Sequence, residues 1–397
     1  MKGGEHTLLI TEKIKIRPNK ELRRRLHHLV DGKRFIYNYM VNLVNHDKIS
    51  SISARNTYRK LLKENKVLNK DGDVIDPRFH DLLSSIPSQI EDMCVDDIKR
   101  ALKSKRKKKL LEYKSKRNSR RSFTIHRKND SNFKFNDGLL KVVKMDTPIK
   151  LYMNKFKHYT GKEQIKRITI SNNTYGWYIS ISYELDYNPY KMKKTNKKIG
   201  IDWGIKSFAT DSSGKIFTFK KRKKLVNYEE YERLYNKLKH LQKIQSKKRL
   251  NNDTWYLSRK YESLKTKITH IYEKLANIRR NFLHYVSKYY IKNYDHIAIE
   301  DLKPSNMNKN HKLARMINEA MFYTWKVFLS YKSELYDKVL LIVNPRDTSQ
   351  TCSQCGTVLK GKNKLKLSNR IFKCNSCNLK INRDHNAAIN ILNLSLA

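Results

Sequence analysis

The sequence predicts a multidomain α+β protein. Three observations lead there. The chain has 397 residues, past the length of about 250–300 at which single hydrophobic cores stop growing. Its hydrophobic period switches from two to helical and back more than once. Near its end, two close cysteine pairs mark a small module of a kind usually stapled by a metal.

The elements follow in order. Residues 7–18 alternate loosely through Leu9, Thr11, Ile14 and Ile16 before Pro18, which predicts a strand. From 19 to about 121 the period is helical, through Leu22, Leu26, Leu29, Phe35, Tyr39 and Leu43. Breaks fall at Asp71-Gly72-Asp73 and Pro77, and a further helix runs from about Pro87 through Met93, Val95 and Ile98. Residues 103–121 then carry eleven basic residues against the single acid Glu112. Beyond them a period of two returns at Phe123/Ile125, Phe133/Phe135, 139–143, Ile149/Leu151, Ile168/Ile170 and 177–183. Residues 123–190 therefore predict a small β-barrel or open sheet completed by the N-terminal strand, with the helices inserted into it. A basic linker, 191–198, leads to a strand and hairpin at 199–212. Residues 222–292 predict an antiparallel pair of long helices, with stripes Leu234, Leu238, Leu241, Ile244 and Leu264, Ile268, Ile271, Leu275, Ile278, Phe282. The break between them is Asn251-Asn252-Asp253. A strand at 297–299, a helix around 313–335, a strand at 339–343, the cysteine module and a helix at 384–394 follow.

Charge narrows the function. Lys plus Arg number 86 against 37 Asp plus Glu, a formal net charge of +49. Such self-repulsion is relieved by a polyanion, and nucleic acid adds counterion release at each phosphate. The charge is spread along the chain, which disfavours a basic tail on an unrelated domain. A ribosomal protein or a cationic surface binder would be the bland alternatives. No run of 18 apolar residues predicts a membrane span, and the first residues lack a signal peptide's apolar stretch. Four paired cysteines and the lone Cys94 are no disulfide framework and suit a reducing interior. Neither a phosphate-binding Gly-x4-Gly-Lys-Ser/Thr loop nor a Gly-x-Ser-x-Gly elbow occurs, and the thirteen histidines form no His-Glu-x2-His pair.

Cys352-x2-Cys355 and Cys374-x2-Cys377, eighteen residues apart, have the spacing of a zinc ribbon with one structural Zn2+. Lys360, Lys362, Lys364, Lys366 and Arg370 in the intervening loop suit phosphate contact.

Three acids carry the chemistry. In Ile199-Gly200-Ile201-Asp202 the isoleucines share one face of a strand, and Gly200 and Asp202 share the other. Ile297-Ala298-Ile299-Glu300 repeats the pattern. The small residues would leave room beside the carboxylates for metal and substrate. On the final helix Asp384 shares a stripe with Ala387, Ala388 and Ile391, so it should face a sheet. Three carboxylates from two strands and a helix suit two Mg2+ ions and phosphodiester hydrolysis. His385 is expected to be a surface or phosphate contact rather than a base.

Several stretches resemble the TnpB family of transposon-associated nucleases and the related compact type V CRISPR effectors. They are Gly200-Ile-Asp-Trp-Gly-Ile-Lys-Ser-Phe-Ala-Thr210, Arg279-Arg-Asn-Phe-Leu-His284 with Ile297-Ala-Ile-Glu-Asp-Leu302, Thr348-Ser-Gln-Thr-Cys-Ser-Gln-Cys-Gly356, and Cys374-x2-Cys377 followed by Asn382-Arg-Asp-His-Asn-Ala-Ala388. Order and spacing agree over 199–394. The resemblance implies a RuvC-type RNase H-like α/β nuclease domain at 197–344, including the hairpin 222–292 and closed by 381–397. It implies a zinc ribbon inserted at 345–380, and a wedge β-barrel (1–18 and 123–196) interrupted by a helical recognition domain (19–122). Asp202, Glu300 and Asp384 would be its Mg2+ ligands. The partners implied are a guide RNA and a target DNA, with cleavage beside a short motif that the protein reads. A monomer with one RNA is expected, in the cytoplasm with the nucleoid, or in a nucleus in a eukaryotic setting. Asn382 stands where the family often has Asp. An RNA-guided repressor without cleavage and a strand-joining transposase are the alternatives.

Overall fold

A computed structural model describes residues 8–69, 71–104, 110–115, 121–127, 132–204, 207–219, 228–250, 258–302, 321–366 and 369–397. The basic run 105–109, the break at 251–253 and the start of the helix expected from 313 lie outside the described residues. The chain divides into two compact units, Met1–Pro189 and Tyr190–Ala397.

The first unit opens with β1 (Leu8–Ile16), then α1 (Lys20–His46), α2 (Ser51–Lys63), α3 (Pro77–Ser84) and α4 (Ser88–Ser104). Asn19 caps α1 by accepting from the Leu22 amide at 2.8 Å, and Asp76 caps α3 ahead of Pro77 at its first position. Six strands follow: β2 (Arg121–His126), β3 (Phe133–Asn136), β4 (Leu139–Val142), β5 (Ile149–Lys150), β6 (Ile165–Asn173) and β7 (Gly176–Leu185). A four-stranded antiparallel sheet has the order β1-β7-β6-β2, and β3-β4-β5 form a three-stranded one. β1 pairs with β7 from Leu8↔Leu185 to Ile16↔Trp177, so the first strand does complete the sheet across the inserted helices. Ile10, Ile14, Phe123, Ile125, Ile168, Ile170, Ile179 and Ile181, alternate residues along these strands, are buried.

The second unit contains β8 (Lys198–Asp202), β9 (Ala209–Asp211), β10 (Ile216–Phe217), α5 (Tyr228–Leu250), α6 (Arg259–Asn293), β11 (His296–Glu300), α7 (Phe322–Leu335), β12 (Val339–Val343), β13 (Ile371–Lys373), β14 (Lys380–Asn382) and α8 (Arg383–Leu394). Its main sheet has the order β10-β9-β8-β11-β12. β8, β11 and β12 run parallel, β9 pairs antiparallel with β8, and β10 pairs antiparallel with β9. The register sets Ile297 beside Ile199, Ala298 beside Gly200 and Ile299 beside Ile201. The isoleucines enter a core with Phe282, Val286 and Tyr290 of α6 and Phe322, Trp325 and Leu329 of α7. The opposite face receives α8, whose Ala387, Ala388 and Ile391 are buried. Burial on both faces is what a parallel sheet requires.

α5 and α6 form the expected antiparallel pair around Leu234, Leu238, Leu264, Ile268, Ile271 and Leu275. Arg279 donates to the Tyr231 hydroxyl at 3.0 Å, and Gln245 to that of Tyr261 at 3.1 Å. The basic linker is anchored in this unit, because the Thr195 and Asn196 amides donate to Asp295. Against the burial that would raise it, Lys338 and these two amides hold the Asp295 carboxyl down to about 2.

Candidate metal centres

Asp202 is the last residue of β8 and Glu300 the last of β11. The register pairs Ile201 with Ile299, one residue before each acid, so adjacent parallel strands deliver both carboxylates at their carboxyl ends. Asp384 comes from the first turn of α8. Asn382 caps that helix, accepting from the Asp384 amide at 2.9 Å and the His385 amide at 3.2 Å. Asn and Asp are comparable N-caps, so Asn382 supplies the cap without being an acid itself. A carboxylate at the second helical position also meets the positive end of the helix dipole.

The room at Gly200 has a different use from the one expected. A Cβ there would lie 2.2 Å from the Ala388 carbonyl oxygen, 2.5 Å from the Leu392 nitrogen and 2.8 Å from the Leu392 Cβ. The small residue makes space for the backbone of α8, and only through that helix for the site. Close approach of backbones is a usual reason for a glycine within a strand.

Electrostatics tie the three acids together. Burial first, and then the charges of Glu300 and Asp384, hold the Asp202 carboxyl well above the usual range, with Arg383 opposing. Burial also raises Glu300, against the hydroxyl that Thr348 donates to its Oε1. Asp384 has Arg383 at 3.4 Å and Arg370 at 4.0 Å. The donor set fits a hard cation: a buried carboxylate at Asp202, whose proton affinity burial and two neighbouring acids raise, is relieved by a divalent ion. The carboxylate oxygens of the three acids are not gathered as closely as the four cysteine sulfurs, which all lie within 4.8 Å of one another.

Thr348, Arg370 and Arg383 were not expected here. Thr348 and Arg383 stand within recognisable stretches of sequence, but nothing in either stretch says that they touch acids. His385 is half-buried and hydrogen-bonds the Ser212 carbonyl at 3.2 Å, its ring against Gly214. It pins the start of α8 to the β9–β10 turn, a packing role that the expectation of a surface or phosphate contact did not include.

The cysteines form the second centre. Cys352 and Cys377 sulfurs lie 3.6 Å apart, and those of Cys355 and Cys374 3.5 Å. A tetrahedral ion with Zn–S bonds of about 2.3 Å separates its sulfurs by about 3.8 Å, so the cluster could hold a zinc ion. The Thr357 hydroxyl and amide pull Cys355 down to about 6. Against a backbone hydrogen bond at Leu379, burial and the other thiols push Cys377 up to about 12. Four thiolates cannot coexist this closely without a cation, and a soft divalent ion resolves the conflict. Phe372 and Leu359 back the module.

Two family models match the chain: "OrfB_IS605, Probable transposase" over residues 180–311, and "Cas12f1-like, TNB domain" over 322–391. A protein of Escherichia coli strain K12, "Putative RNA-guided DNA endonuclease InsQ", is 30% identical over 329 residues, which are 78% of this chain and 75% of that one. A Streptomyces pristinaespiralis protein with the name "Putative RNA-guided DNA endonuclease" is 30% identical over 294 residues, 74% of this chain and 67% of its own. A TnpB-like protein of Methanocaldococcus jannaschii is 29% identical over 170 residues, 40% of this chain and 58% of that one. With that identity across three quarters of the Escherichia coli protein, and with the matched stretches spanning the acids and the cysteines, the chain belongs to the TnpB family.

Proposed function

We propose that the chain is an RNA-guided DNA endonuclease that hydrolyses phosphodiester bonds at Asp202, Glu300 and Asp384. The observation that carries this reading is that adjacent parallel strands end in Asp202 and Glu300, where burial first, and then the charges of Glu300 and Asp384, hold the Asp202 carboxyl well above the usual range. Perturbed carboxylates gathered from separate elements are a mark of a functional site. The names of the relatives support guide RNA and target DNA as partners, and so does the charge of +49.

In this reading 197–344 with 381–397 is the RuvC-type domain, 345–380 the zinc ribbon, 1–18 with 123–196 the wedge barrel, and 19–122 the recognition domain. Bound by the three acids, two Mg2+ ions would supply an activated water and stabilisation of the leaving oxygen. The acids bind and orient, while Arg370 and Arg383 balance charge beside Asp384. The protein acts as a monomer on one RNA, in the compartment that holds the DNA. Among the described residues, no helix is long and apolar enough to cross a membrane.

The test is a purified complex with its copurifying RNA, Mg2+ and a matched duplex. Double-strand breaks that need the target match and vanish in Asp202→Ala are expected. Guided binding without breaks would overturn the proposal in favour of a repressor, and strand joining in favour of a transposase.

A further inference from the structure

α8 packs on the sheet through Ala387, Ala388 and Ile391, yet it also buries two asparagines. Asn386, 0% exposed, accepts from the Ser353 amide at 3.0 Å and donates to the Thr351 carbonyl at 2.7 Å. Asn390, one turn later, donates to the carbonyls of Thr348 at 2.8 Å and Thr351 at 2.7 Å. Cys352 lies between Thr351 and Ser353. The two amides therefore grip the backbone on both sides of a cysteine of the zinc cluster, and one of them reaches back to Thr348. Thr348, 4% exposed, donates its hydroxyl to Oε1 of Glu300. Asparagine is a poor helix residue and costly to bury unless it is bonded. Two of them on one buried face imply a connection that an apolar pair would not make.

We propose that Thr348 is the positioning residue of Glu300, and that Asn386 and Asn390 tie it to the Cys352 knuckle, so that zinc occupancy sets the alignment of the nuclease acids. The inference rests on the nuclease reading. A threonine hydroxyl has one proton to donate. Given to Oε1, it fixes the rotamer of Glu300 and leaves Oε2 for a cation. Partners that orient metal ligands typically change metal affinity about 10–100-fold when removed. With zinc in place, the knuckle holds the Thr351 carbonyl and Ser353 amide where the asparagines meet them. Without it, both acceptors of Asn390 are loosened together, and Thr348 with them.

The full chain with its RNA and target DNA provides the test. Thr348→Val keeps the shape and removes the hydroxyl, while Thr348→Ser keeps the hydroxyl. Cleavage gives kcat and KM, zinc release gives occupancy, and Tb3+ luminescence, corrected by Asp202→Ala, reports cation binding at the acids. Thr348→Val should lower kcat about 100-fold and weaken Tb3+ about tenfold, with target KM and zinc content unchanged. Thr348→Ser should restore both to within about threefold of the parent, less than one conserved hydrogen bond is worth. Chelating zinc should weaken Tb3+ in the parent but add nothing in Thr348→Val, where the link is already cut. A valine variant equal to the parent would overturn the proposal. So would a serine variant as poor as valine, or a zinc effect of equal size in both backgrounds. Should valine prevent folding, Asn390→Ala, which retains the Thr348 hydroxyl and cuts the tie to the knuckle, should make Tb3+ binding insensitive to zinc, and a zinc effect as large as the parent's would overturn the proposal. A parent complex that never cleaves, yet binds Tb3+ in a zinc-dependent way, would sink the nuclease reading and leave the link standing.

Discussion

Gly200→Ala adds one methyl group at the tightest contact between β8 and α8. The new Cβ would stand 2.2 Å from the Ala388 carbonyl oxygen and 2.5 Å from the Leu392 nitrogen, where ordinary contact begins at 3.4 Å. Both neighbours are helix backbone, so no side chain can swing aside. α8 must retreat by about 1.2 Å at that point. Overpacking of a core costs about 1–3 kcal/mol, and two backbone obstacles place this site at the upper end. For a unit of this size about 3 kcal/mol lowers the melting temperature by about 6–12 °C. The retreat also carries Asp384, one turn from Ala388, away from Asp202 and Glu300. Misplacement of about 1 Å in a catalytic group costs about 100-fold in rate. Differential scanning fluorimetry and single-turnover guided cleavage at saturating Mg2+ measure the two effects. An alanine variant that melts and cuts like the parent would refute both the packing and its coupling to the site.

Other perturbations test other parts of the unit. Asp202→Asn should abolish cleavage yet raise the melting temperature in EDTA, because it removes a buried like charge. The sign follows from the raised folded-state carboxyl: its stability is full below the unfolded value of about 3.9 and is lost as pH rises through the folded one. The advantage of the asparagine variant should therefore shrink toward low pH in urea titrations. Asp295→Ala strands the buried Lys338 ammonium and should cost about 3–5 kcal/mol in urea unfolding. Since Asp295 is held at about 2, its contribution should be present above about pH 4 and vanish as pH falls through 2. Asn382→Ala should cost about 1 kcal/mol and slow cleavage, while Asn382→Asp, an equally good cap, should stay close to the parent in melting temperature.

What could be foreseen follows the range of each interaction. Asp202 and Glu300 end strands whose Ile-x-Ile alternation is complete within four residues, so local pattern was enough to orient them. Asp384 was placed by the alanine stripe of its own helix. The two α-helices at 228–293 and the sheet closed by β1 were likewise legible from period alone. The purpose of Gly200 was not, because the atoms that crowd it belong to Ala388 and Leu392, on a helix nearly two hundred positions later. Periodicity says that a face is small and is silent on what fills it. The Asp295–Lys338 pair was hidden for the same reason, as was the pairing of Thr348 with Glu300.

The β12 edge shows the limit from the other side. Val339-Leu-Leu-Ile-Val343 has the apolar run of a strand buried on both faces. Yet Val339 is 44% and Ile342 48% exposed, since β12 is the last strand of the sheet. An apolar run predicts a strand and cannot say how many neighbours that strand has. Asp202 and Glu300 escape this ambiguity because they lie on β8 and β11, interior strands of the order β10-β9-β8-β11-β12. There, neighbours on both sides fix the register, and a one-residue slip would turn Asp202 or Glu300 into the core. The site stands where the sheet has least freedom, and the third acid, outside the sheet, needs the cap at Asn382 and the contact at Gly200 to be held equally well.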